Sequence, residues 1–153
     1  MKRITVARAL KLKNELAGEV KELASLISQH NSHAEDTTVK FEVGQLFLDL
    51  LTAQAKLVSV KTAIQKANGN IAFQLVSLAE KKSIVSIIKN IDTTEGKKWE
   101  NEGYRSEGRL VNHVVTFDAI WKRNIVKDLE KEIRDLQDEI DTYNAQTLVE
   151  VPD

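Results

Sequence analysis

The chain has no cysteine. That excludes disulfides, a catalytic thiol and thiolate metal sites, and it is neutral about compartment. Proline occurs once, at Pro152, and aromatic residues make up only 5% of 153 positions. Such a composition argues against a β-sandwich and for helices. A dominant charge is also missing. The 22 lysines and arginines are offset by 23 acidic residues, for a formal net charge of −1. No overall field therefore draws the chain to nucleic acid or to anionic lipid. Long apolar runs are absent, and no segment approaches the ~20 apolar residues of a membrane span. After Met1-Lys2-Arg3 the apolar stretch is broken by Arg8, Lys11 and Lys13, unlike the uninterrupted core of a signal peptide. The expected location is cytoplasmic, and the length fits one domain, 1–153.

What the sequence does have is helical periodicity. Val6, Ala9, Lys13, Leu16, Val20, Leu23 and Ile27 recur at alternating three- and four-residue steps, the spacing of a coiled-coil seam. They predict a first helix over about 5–29, with Thr5 as its N-cap. His30 to Thr38 is polar and aperiodic and reads as a loop. Leu46, Leu50, Ala53, Leu57, Val60, Ile64 and Ala67 give a second seam over 42–67, flanked by Phe47, Leu51 and Val58. Asn68-Gly69 reads as its stop, because both residues tolerate left-handed backbone. A third helix over 71–90, capped by Asn70, is read from Leu75, Leu78, Ala79, Lys82, Val85, Ile88 and Ile91, with Ile84 and Ile87 beside the seam. A last helix over 118–144, capped by Thr116 or Asp118, shows Val126, Leu129, Ile133, Leu136, Ile140 and Tyr143 on one face.

Between the third and last helices the pattern changes. Gly96, Gly103 and Gly108 fall close together, and Leu110 to Thr116 is β-prone. Its partner is either the stretch near Trp99 to Arg105, in a hairpin, or a strand of a second molecule. The fold expected is mainly α: an antiparallel bundle of about four long helices with coiled-coil-like seams and a short β-hairpin or strand insert, 95–116, before the last helix. Residues 145–153 read as a frayed tail. The stripes are broad enough to serve both a bundle and an intermolecular seam, so a homo-oligomer is expected.

Taken in order, the segments resemble a small, mostly bacterial family of septicolysin-like proteins of unknown function. Ala7-Arg8-Ala9-Leu10-Lys11-Leu12-Lys13-Asn14-Glu15-Leu16 is similar to the family's opening helix, and Asn31-Ser32 to its close. Ile64-Gln65-Lys66-Ala67-Asn68, Tyr104-Arg105-Ser106-Glu107 and Arg134-Asp135-Leu136 through Ile140 and Asn144 match later family positions. Ala145 departs from the aromatic expected after that asparagine. The resemblance implies a helical bundle with a β insert that forms oligomers, and it brings no catalytic residue. Its label suggests membrane activity. Thiol-activated pore-formers carry a cysteine-bearing motif, which this chain lacks.

Two places carry residues of chemical interest. His30 and His33, followed by Glu35 and Asp36, offer imidazoles and carboxylates to a transition metal, but structural sites want four fixed ligands. A solvated loop is the plainer reading. The insert holds Lys98, Trp99, Tyr104, Arg105, Glu107, Arg109 and His113, a mixed-charge aromatic set of the kind binding loops use. The alternative is a hairpin whose rings cover the end of the bundle. No phosphate loop is present, since Gly103 and Gly108 lack a following lysine at the required spacing. The reading is a self-associating, non-enzymatic scaffold or interaction protein with no cofactor, whose partners are itself and another protein. A nucleotide or nucleic-acid binder using Lys97, Lys98, Arg105 and Arg109 with stacking rings is the first alternative, and a membrane-active protein is the second.

Overall fold

The computed structural model describes residues 1–32, 42–100 and 108–153. Its elements are β1 (Lys2–Thr5), α1 (Val6–His30), α2 (Val43–Asn68), α3 (Ala72–Lys89), β2 (Gly96–Glu100), β3 (Arg109–His113), α4 (Ala119–Gln146) and β4 (Leu148–Val151). The described chain is mainly helical and divides into two compact units. One is formed by Met1–Ala72 with Glu139–Asp153, the other by Phe73–Asp138. Among the described residues no helix is long and apolar enough to cross a membrane.

In the first unit, α1 begins where the sequence predicts. Thr5 has extended backbone, and its hydroxyl accepts a hydrogen bond from the Arg8 amide at 3.2 Å. Val6, Ala9 and Leu16 are buried on the expected face of α1. Ala53, Leu57, Val60, Ile64 and Ala67 are buried on the expected face of α2. Leu16 and Leu23 border one cleft with Asp49 and Ala53, and Leu12 borders another with Val60. Positions that rise along α1 thus fall along α2, and the pair is antiparallel. Its core joins Val6, Ala9, Leu57, Val60 and Ile64 to Ile4, Val149 and Val151.

Those last residues overturn the reading of 145–153 as a frayed tail. β4 pairs antiparallel with β1, in a register of Lys2 with Val151, Arg3 with Glu150, Ile4 with Val149 and Thr5 with Leu148. Directly opposed residues share a face, and faces alternate along a strand. Ile4, Val149 and Val151 therefore point inward, and Arg3 and Glu150 meet outside as an ion pair at 3.2 Å. The Val6 amide donates to the Thr147 carbonyl at 2.9 Å and locks α1 to the ribbon. A two-stranded ribbon is marginal alone; this one is held by burying one face on α1 and α2.

α2 ends at Asn68 as expected, but not through left-handed backbone. Asn68, Gly69 and Ala72 all keep right-handed helical backbone, and Gly69–Ile71 is a single 3₁₀ turn. Gly69 permits the left-handed conformation without requiring it. By count there are therefore three helical runs, at 6–30, 43–89 and 119–146, and not four separate long helices in a bundle. Asn70 is not a cap. Its amide donates to the Tyr143 hydroxyl at 3.2 Å, and that hydroxyl donates to the Ala67 carbonyl at 2.8 Å. The pair satisfies backbone at the turn where the α-helical ladder changes pitch.

The alternation of α2 runs on through the turn. Buried or half-buried Ile71, Gln74, Leu78, Lys81, Val85 and Ile88 continue it. Of the predicted seam of the third segment, Leu75, Leu78, Val85, Ile88 and Ile91 are buried or half-buried, and only Ala79 and Lys82 are corrected, being exposed. In the second unit α3 and α4 are antiparallel. Lys81 pairs with Glu132, Lys89 Nζ lies 2.7 Å from Glu130, and Lys122 Nζ donates to the Ile91 carbonyl at 2.7 Å. α4 starts on Asp118, whose carboxylate accepts from the Trp121 amide at 2.7 Å.

Candidate functional site

The glycine-rich insert folds back on itself within one chain. β2 and β3 pair antiparallel, Gly96 opposite His113, Lys98 opposite Val111, Trp99 opposite Leu110 and Glu100 opposite Arg109. Gly96 opens the hairpin at φ +90°, left-handed backbone that glycine enters at little cost. The strand predicted at Leu110 thus has an intramolecular partner.

The pairing sorts the candidate residues onto two faces. Lys98, Glu100, Arg109 and His113 share one. There His113 Nε2 lies 2.9 Å from a Glu100 carboxylate oxygen, without the alignment of a hydrogen bond. Lys98 Nζ reaches the Thr94 hydroxyl at 3.3 Å. Thr94 in turn donates its amide to Asp92 at 2.8 Å. Hydrogen bonding from the Thr94 side chain, then from its amide, helped by the charges of Lys98 and His113, holds the Asp92 carboxyl below its ordinary value. The other face carries Trp99, Leu110, Lys97 and Asn112. Trp99 is 72% exposed and Leu110 is 50% exposed. The expectation that the ring covers the end of the bundle is not met by Trp99, which forms an open apolar pair with Leu110. Tyr104, Arg105 and Glu107 lie outside the described residues, as does Ser106.

His30 ends α1, and His33, Glu35 and Asp36 lie outside the described residues. Among the described residues no group of three His, Asp or Glu side chains converges as metal ligands would.

The feature that periodicity reading passed over is a second apolar row on α3. Phe73, Val76, Ile84 and Ile87 are 80%, 61%, 45% and 61% exposed. At 100° per residue they fall on one face, roughly opposite Leu78 and Val85. Ile84 and Ile87, expected beside the seam, are exposed instead. In the first unit α2 has a similar outer row of Phe47, Leu51 and Val58, with Leu48 beside it. Ala55, Ser59 and Pro152 complete an open groove beside Leu48 and Leu51.

No family model matches this sequence, and no curated protein matches it. A solved structure does share the fold: a conserved protein of unknown function from Corynebacterium diphtheriae. It is 19% identical, the match spans 97% of this chain and 100% of that one, and the TM-score is 0.71.

Proposed function

We propose that this chain is a non-enzymatic scaffold that associates with copies of itself and presents the 95–113 insert to a protein partner. The observation that carries the reading is the outward row of α3. Single exposed apolar residues are ordinary, but two apolar pairs on one helix face, Phe73 with Val76 and Ile84 with Ile87 on either side of Glu80, favour an interface. From Phe73 to Ile87 the row runs along ~21 Å of helix. A second copy offering the same row is the simplest complement, because a two-fold interface pairs one surface with itself. The hairpin adds a recognition element. An exposed tryptophan opposite a leucine, on the strand face that carries Lys97 and Asn112, has the make-up of an interface anchor with a polar rim.

Light scattering after size exclusion tests the first half. The expected mass is a multiple of 17.2 kDa, falling to one copy in a Val76→Glu, Ile87→Glu variant. Both side chains are exposed, so the variant keeps its helix. A wild type that stays at one copy at every concentration ends the self-association reading, and an assembly unmoved by both substitutions removes α3 from it.

A further inference from the structure

The charge order of α4 runs against its own dipole. The amide end of a helix carries partial positive charge and favours acids, and the carboxyl end favours bases. From Ala119 to Lys127 there are three bases, Lys122, Arg123 and Lys127, and no acid. From Asp128 to Gln146 there are seven acids and two bases. Nothing in helix stability calls for this inversion, because Asp118 already caps the end.

The three bases lie on one cleft of the second unit, about 570 Å³ in volume. Lys89, from the last turn of α3, adds a fourth cation, and Glu130 is the one carboxylate on its walls. Glu130 is committed to Lys89, whose ammonium holds its carboxyl below the ordinary value. Lys122 is fixed by a hydrogen bond to the Ile91 carbonyl, a neutral acceptor that orients the ammonium without cancelling its charge. Arg123 and Lys127 meet no carboxylate among the described residues. The floor between them is apolar, from Ala119 and Val126. The volume is that of a small-molecule site. The planar fork of an arginine beside two ammonium groups suits the oxygens of a phosphate.

The geometry points to this cleft as a binding site for a small phosphorylated molecule, its adjacent phosphates held by Lys122, Arg123 and Lys127. The cleft shares no lining residue with the hairpin or with the outward row of α3, and it does not depend on self-association.

The test is calorimetric titration of the full chain with inorganic pyrophosphate at low salt, beside phosphatidic acid vesicles. The expected result is saturable one-to-one binding of pyrophosphate that weakens as salt rises. An Arg123→Gln, Lys127→Gln variant should bind at least about tenfold more weakly, the factor that one lost charge-assisted hydrogen bond represents. A Lys11→Gln, Lys61→Gln variant removes the same charge elsewhere and should bind as the wild type does. Circular dichroism of each variant establishes that it is folded. Vesicle binding without pyrophosphate binding, lost in the Arg123, Lys127 variant, would assign the same chemistry to a lipid headgroup. Absence of binding to both probes, or equal loss in the two variants, or full retention in the Arg123, Lys127 variant, would overturn the proposal.

Discussion

Glycines in this chain serve opposite ends, and the difference can be measured. Gly96 has φ +90° and open space where a β-carbon would stand, so only backbone conformation resists a side chain there. Gly18 lies inside α1, with ordinary helical backbone and nothing within 4 Å of an added Cβ. Gly96→Ala should destabilise the hairpin by about 1–2 kcal/mol, the cost of left-handed backbone for an L residue. Gly18→Ala should stabilise by about 0.5–1 kcal/mol, because it removes unfolded-chain freedom and strains nothing. Urea melts of both variants give the signs directly. Equal effects would mean that the left-handed turn at Gly96 does not persist in solution. The same scale explains the Asn68-Gly69 reading. A residue that tolerates two conformations cannot by itself announce which one it takes, and the choice falls to its neighbours.

At the scale of elements, the terminal ribbon shows how long-range pairing creates order that local pattern does not announce. Val151 is fully buried, and it sits two residues from the last position of the sequence. Placing a carboxylate there would bury an unpaired charge, which is among the most costly single changes. Val151→Asp should detach β4 from β1, lower the melting temperature by several degrees and expose the β1 amides to hydrogen exchange. Leu148→Asp, on the outer face at 58% exposure, should change little. Equal, small effects from both would show that the ribbon contributes nothing to the first unit. The faces of α1 and α2 were legible in the sequence because a 3–4 alternation over some seven turns has one geometric solution. β4 was not, because so short an alternation becomes meaningful only beside Lys2–Thr5, at the opposite end of the sequence. The α3 face was legible at Leu75, Leu78, Val85, Ile88 and Ile91, which are buried or half-buried, and not at Ala79 and Lys82, which are exposed. The strand at Leu110 was legible, but its partner was left open between the stretch near Trp99 to Arg105 and a second molecule, and the separation of Trp99 from Lys98 and Arg109 was not legible. It follows from which residues oppose which, and a one-residue slip would exchange the faces. The cleft at Lys122 needed the end of α3 brought beside the start of α4, which no spacing within either helix specifies.

At the scale of the whole molecule, burial is unequal. Among the described residues fifteen apolar side chains are buried, and only Leu78 and Val85 belong to the second unit. Burial of apolar area is the main term holding a fold together. The second unit therefore holds α3 and α4 together largely through half-buried seam residues and the Lys81–Glu132 and Lys89–Glu130 pairs. Exposed ion pairs of this kind contribute little. A unit so built opens before its neighbour unless something covers it, and the outward row of α3 is the surface that a second copy would cover. Local opening is read by amide exchange, which reports each cooperative segment separately. In the wild type, protection should be greatest for amides of α1 and α2 around Leu16, Leu57 and Val60. In the Val76→Glu, Ile87→Glu variant, protection should fall across 73–98 and 119–138 and stay unchanged in α1 and α2. A uniform fall across both units would mean that the two open as one, and equal protection in wild type and variant would mean that the second unit holds its order without a partner on α3.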